Sequence, residues 1–160
     1  MKKIILLLLL QITNLQALEI YCEFEEVYSN SDIQNGFFLF KDKKLRYQYY
    51  NDNLYTIISD GKEYFVVNNH DNDVVQKITD KADYLNAFTM ILEKYPNIEP
   101  VNTYNNVIVD LEKNSKNFYK RISIRSDDLN LSIYLNECEF LEIDDSYFKH
   151  FNIKEFKKIF

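Results

Sequence analysis

Tryptophan is absent from this 160-residue chain, and glycine, proline, histidine, cysteine and methionine occur only twice each. Each scarcity excludes something. With Gly36 and Gly61 alone, no glycine-rich cradle for phosphate and no Gly-x-Ser-x-Gly nucleophile turn can be built. His70 lies in "NNHDND" and His150 in "YFKHFN", so no His-Glu-x-x-His zinc pattern exists. A site from His70 with Asp71 and Asp73 lacks a second histidine and the glycine a calcium loop requires. Adjacent acids such as Glu25-Glu26 and Asp144-Asp145 point to opposite faces of a strand and read as surface charge. The sequence therefore predicts a protein that is not an enzyme, with no cofactor and no metal. Nor is there a basic cluster. Acidic residues outnumber lysine and arginine 25 to 19, which argues against nucleic acid and against docking on anionic lipid.

The apolar run from Ile4 to Leu10 is well short of the roughly 20 residues a spanning helix needs. It follows Lys2 and Lys3 and precedes a polar stretch ending "LQA". That order predicts a secretory signal peptide over residues 1–17 and a single domain over 18–160, exported to a periplasm. The domain would hold 17 basic and 25 acidic residues, a net charge of −8. In an exported chain, Cys22 and Cys138 can form one disulfide or remain two buried thiols.

What is abundant is aromatic and β-branched. There are 13 tyrosines and 12 phenylalanines. "YCEFEEVY" and "GFFLFK" read as strands. "KLRYQYYND" alternates, with Leu45, Tyr47 and Tyr49 on one face and Arg46 and Gln48 on the other. "LYTIISDGKEYFVV" reads as a hairpin with a two-residue type I′ turn at Asp60-Gly61, pairing Ile57 with Tyr64 and Tyr55 with Val66. Those four share the uncharged face; Thr56, Ile58, Glu63 and Phe65 share the other. Tyr84, Leu85, Phe88, Ile91, Leu92 and Tyr95 form a stripe at helical spacing, predicting one long helix capped by Asp80 and ended by Pro96 and Pro100. "NVIVDLE", "FYKRISIR" and "LNLSIYLN" predict three more strands. In the last, Leu129, Leu131, Ile133 and Leu135 alternate with polar neighbours. The phase breaks near Glu137, so "CEFLEI" is a bulged continuation or a new strand. Asn152 and Glu155, with Phe151 against Phe156, predict a short capped terminal helix. The predicted class is mainly β (α+β): a curled antiparallel sheet, an incomplete barrel, with a helix over its concave side.

The segment "NGFFLFKDKKLRYQYYNDNLYTIISDGKEYFVV" resembles the central motif of the LolA-type periplasmic lipoprotein carriers. Gly36 matches the glycine that opens a strand in that family. Leu45, Arg46, Tyr47 and Tyr49 match its aromatic strand. Asp60, Gly61 and Lys62 match its hairpin, Gln76 its downstream glutamine and Phe24 the phenylalanine of its first strand. The resemblance spans roughly Phe24 to Ile78. "KDKK" stands where the family has a basic-Pro corner, so the arginine that latches the family's lid has no counterpart, and no helix precedes the first strand.

The resemblance implies a carrier that binds the acyl chains of lipoproteins in an apolar cavity and moves them toward the outer membrane. It also implies an inner-membrane release complex and an outer-membrane acceptor as partners. On this reading Tyr47, Tyr49, Tyr55, Ile57, Tyr64 and Val66 wall the cavity, and Tyr84, Phe88 and Leu92 belong to its lid. The alternatives are a periplasmic binding or sensing module of the same fold that carries nothing, and a small structural protein with a filled core.

Overall fold

The computed structural model describes residues 18–70, 74–78 and 83–149. The predicted signal peptide, the cap Asp80, His150 and the predicted terminal helix lie outside these residues. Ten strands are described: β1 (Glu19–Tyr28), β2 (Ile33–Lys41), β3 (Lys44–Tyr49), β4 (Tyr55–Ser59), β5 (Tyr64–Asn68), β6 (Val74–Ile78), β7 (Val101–Tyr104), β8 (Val107–Lys113), β9 (Tyr119–Arg125) and β10 (Asn130–Phe140). One helix, α1 (Asp83–Glu93), stands between β6 and β7. All neighbours are antiparallel, in the order β6-β5-β4-β3-β2-β1-β10-β9-β8-β7. The sheet is not closed: β6 and β7 are its two edges. The mainly β, curled-sheet-plus-helix class read from the sequence is the observed one.

This strand order dictates where α1 goes. The helix connects the two edge strands, so its chain must cross the open side of the curl. Its buried residues are Leu85, Ala87, Phe88, Thr89, Ile91 and Leu92, close to the stripe seen in the sequence. Phe88 meets Phe38 and Tyr47 edge-on, at 5.3 and 5.6 Å between ring centroids. From the other half of the sheet, the Tyr119 hydroxyl donates to the Ile91 carbonyl. The main core is one continuous cluster: the concave face of β1–β4 and β8–β10 with the inner face of α1.

Three details correct the sequence reading. The β4–β5 hairpin pairs Ile57 with Val66, Ser59 with Tyr64 and Tyr55 with Asn68. It is two residues out of the expected register, and faces are conserved because the shift is even. The connection is the four residues 60–63. Asp60 Oδ1 accepts from the amides of Lys62 (2.9 Å) and Glu63 (3.0 Å), and this local bonding outcompetes the tighter turn. The two-residue turn falls instead at Asp42-Lys43, both at positive φ (47° and 69°) between the paired Lys41 and Lys44, as a type I′ turn requires. Finally, "VNTY" after Pro100 forms β7, an edge strand too short to announce itself by alternation.

The phase break at Glu137 is a bulge within β10. Tyr21 pairs with Glu139 and Glu23 with Asn136, so Cys22 faces two residues. Glu137 takes the left-handed conformation (φ 44°). The extra residue turns Cys138 inward on the same side as Leu135, and it forms a disulfide with Cys22.

The convex face is also covered. Residues 141–149, including a 3₁₀ turn at Asp145–Phe148, pack Ile143 and Phe148 onto Leu39. Lys41 Nζ donates to the Ile143 carbonyl (2.6 Å), Glu19 accepts from the Ile143 amide (2.8 Å) and Arg46 Nη1 donates to the Tyr147 carbonyl (3.1 Å). Arg46, polar and expected opposite the core, is thus fully buried on the convex side. Burial brings its ionisation down to about 10.

Candidate functional site: a tyrosine-lined cavity under the helix

The curl is filled on one side and open on the other. Phe24, Phe38, Phe40, Tyr47 and Phe88 pack its interior. Toward the N-terminal end of α1 a cavity of about 600 Å³ remains, within the usual range for a small-molecule pocket. One wall comes from Tyr47, Tyr49, Tyr55 and Ile57 of β3 and β4. The opposite wall comes from Leu129, Leu131 and Ile133 with Ile124 and Val107, and Tyr84, Leu85 and Phe88 of α1 form the cover. Tyr55 and Tyr84 are 41% and 37% exposed, so the mouth presents aromatic rings to solvent.

Of the wall residues expected from sequence, Tyr47, Tyr49, Tyr55 and Ile57 line this cavity; Tyr64 and Val66 do not. Tyr64 lies further along the helix, its hydroxyl 3.3 Å from Asn86 Oδ1 and Thr89 Oγ1. Val66 sits between Ile57 and Gln76 in the outer part of the sheet. Of the lid residues, Tyr84 and Phe88 line the cavity. Leu92, fully buried, belongs to the core beyond it. Of the motif residues, Gly36 pairs with both Phe24 and Tyr49 behind the cavity wall, while Asp60 and Gly61 shape a distant turn.

The sequence reading missed the most unusual side chain. Glu26, expected as surface charge, is only 4% exposed and lies at the base of the cavity. The Tyr47 hydroxyl donates to its Oε1 (2.6 Å); those of Tyr28 and Tyr49 donate to its Oε2 (2.7 and 2.8 Å). Glu25 and Glu26 do take opposite faces, but Glu26 takes the inner one. The signal was strand parity: Glu26 is in phase with Cys22, Phe24 and Tyr28. Asp83 and, from the β9–β10 turn, Asp127 and Asp128 add acidic groups to the lining; among the described residues no lysine, arginine or histidine lines it.

Burial, and then the charge of Glu26, push the ionisation of Tyr47 and Tyr49 well above the ordinary phenol range. Both stay protonated donors. A group whose folded value is raised contributes stability fully below its unfolded value, near pH 10, and loses it as pH rises toward the folded value. Each of these phenols is expected to remove about 1.4 kcal/mol per pH unit above that point. Phenolate absorbance followed beside circular dichroism checks this. Both tyrosines should ionise only as the fold is lost; ionisation in the folded protein near pH 10 would contradict it.

Together these features define a class: an open antiparallel half-barrel whose single described helix covers an aromatic, acid-based cavity. No family model and no curated protein matches the chain. Among the described residues no helix is long and apolar enough to cross a membrane.

Proposed function

We propose that the protein is a periplasmic carrier that holds the acyl chains of lipoproteins in the cavity under α1 and passes them toward the outer membrane, as the resemblance to the LolA-type carriers implies. The observation that carries this reading is the cavity itself. A filled half-barrel would have no use for a solvent-reaching pocket walled by Tyr55, Tyr84, Leu129 and Leu131. Each methylene moved from water into such a site is worth about 0.8 kcal/mol. An open mouth and a helical cover leave the ligand a way out, which a carrier requires. The Cys22–Cys138 disulfide is compatible with an oxidising compartment, where exported proteins reside.

A second reading, a binding or sensing module that transports nothing, is favoured by the packing of Phe88 against Phe38 and Tyr47. That half of the curl is ordinary core, and polar substitution of Phe88 or Ile57 would unfold the protein whether or not it binds lipid.

The test therefore uses the mouth. Purified protein titrated with a fluorescent long-chain acyl peptide should bind saturably. Leu129→Asp, at a half-buried position on the rim, should weaken binding about tenfold with little change in melting temperature. Transfer of bound acyl peptide to acceptor vesicles separates carrier from sensor. A folded wild type that binds no acyl chain ends both acyl-binding readings and leaves the structural protein.

A further inference from the structure

The carrier reading says what fills the apolar part of the cavity; its base says what the ligand's head must be. Glu26 is buried, and its three hydrogen bonds come from neutral hydroxyls. These give each carboxylate oxygen at least one donor but bring no counter-charge to it. No ion pair to Glu26 occurs among the described residues, although carboxylates such as Glu19, Glu63, Glu112 and Asp145 do have lysine partners. A carboxylate taken out of water without a counter-charge is expensive. The remaining charged groups of the lining, Asp83, Asp127 and Asp128, have the same sign. Around them stand the rings of Tyr28, Tyr49, Tyr55 and Tyr84, whose faces attract cations. Every charged group that lines the cavity among the described residues is acidic, Leu129, Leu131 and Ile133 give it an apolar wall, and its volume is large enough for a ligand.

We infer that the cavity selects acylated ligands whose head carries a positive charge, an ammonium group placed against Glu26 with the acyl chains along Tyr55, Leu129 and Leu131. This rests on the acyl-binding reading and narrows it. An N-terminal lipid-modified cysteine has two chemical forms: with a free α-amine it is an ammonium, and with an acylated amine it is neutral. The structure favours the free-amine form. An anionic head, as on a fatty acid, meets only repulsion here.

The experiment compares two synthetic lipopeptides with the same two ester-linked acyl chains on an S-glyceryl cysteine and the same uncharged peptide. One has a free α-ammonium and the other an acetylated amine. Both are titrated into the wild-type protein and into Glu26→Gln, with near-ultraviolet circular dichroism to confirm that each is folded. The expected result is that the wild type binds the ammonium form about tenfold or more tightly, and that Glu26→Gln binds the two forms alike. Equal affinity in the wild type, or preference for the acetylated form, overturns the inference and leaves acyl binding intact. An ammonium preference that survives in folded Glu26→Gln also overturns it, since Glu26 is then not its source. No binding of either form overturns the inference and acyl binding together. Should Glu26→Gln fail to fold, the wild-type comparison decides alone, because the two ligands differ only in charge and an acetyl group.

Discussion

Removing the Cys22–Cys138 disulfide is expected to lower stability by roughly 4–5 kcal/mol, the largest effect of any covalent change in this protein. The bridge joins residues 116 apart in sequence, so it encloses nearly the whole described fold. In the unfolded chain it closes a loop from the first strand to the last, and the entropy that closure removes grows with loop length. In the folded chain it adds little positioning, because β1 and β10 already run as hydrogen-bonded neighbours. Alanines at the two positions would leave small apolar side chains against the core, where they are tolerated. The double variant Cys22→Ala, Cys138→Ala, compared with the wild type by urea denaturation, measures this directly. The midpoint should fall sharply while the folded spectrum is retained. A loss below about 1 kcal/mol would show that the unfolded chain is compact enough to hold the two ends together without the bond.

Gly36→Ala should be nearly as damaging, at about 3 kcal/mol or more. A β-carbon built there would lie 2.1 Å from the Gln48 carbonyl oxygen and 2.6 Å from the edge of the Phe24 ring. The first contact is backbone and cannot rotate away, so β2 and β3 would have to separate. The second is locked, because Phe24 stacks on Tyr47 at 4.1 Å and meets Tyr49 edge-on at 5.7 Å. Both tyrosines bond Glu26, so the damage should reach the cavity. Gly61→Ala is the contrast. Its added carbon meets nothing closer than 3.7 Å, and its φ of 91° costs about 1–3 kcal/mol as local strain without touching the core. Denaturation curves for the two variants should differ in midpoint, and only Gly36→Ala should perturb the tyrosine near-ultraviolet signal. Equal, small losses would mean that the sheet relaxes around residue 36 more easily than its packing indicates.

Much of this protein was legible in one dimension. Alternation over 45–49 and 129–135 assigned those strands and their inner faces, since a period of two leaves only one choice of side. The stripe from Leu85 to Leu92 marked the helix and its buried face for the same kind of reason, at the helical period. Composition set the acidic charge. Local patterns were weaker wherever a turn's own side chains compete, and so the Asp60 loop shifted the hairpin register by two. Strand β7 had too few residues to carry a period at all.

What sequence could not contain is which inner-facing residues meet across the curl. Tyr55 and Leu129 are 74 positions apart, and they face one cavity only because β1 and β10 pair at the centre of the sheet and fold its two wings toward each other. That pairing also brings Cys22 to Cys138, which the sequence left as a disulfide or two thiols. Tyr64 and Val66 share the inner face of their hairpin yet miss the cavity, because α1 and the sheet's curvature decide where space remains. Glu26 is the clearest case. Strand parity alone turned it inward, but three hydroxyls from β1 and β3, converging on one carboxylate, made an inward charge tolerable. Periodicity is a property of neighbours along the chain, whereas a cavity and its charge belong to residues that only the completed sheet makes neighbours.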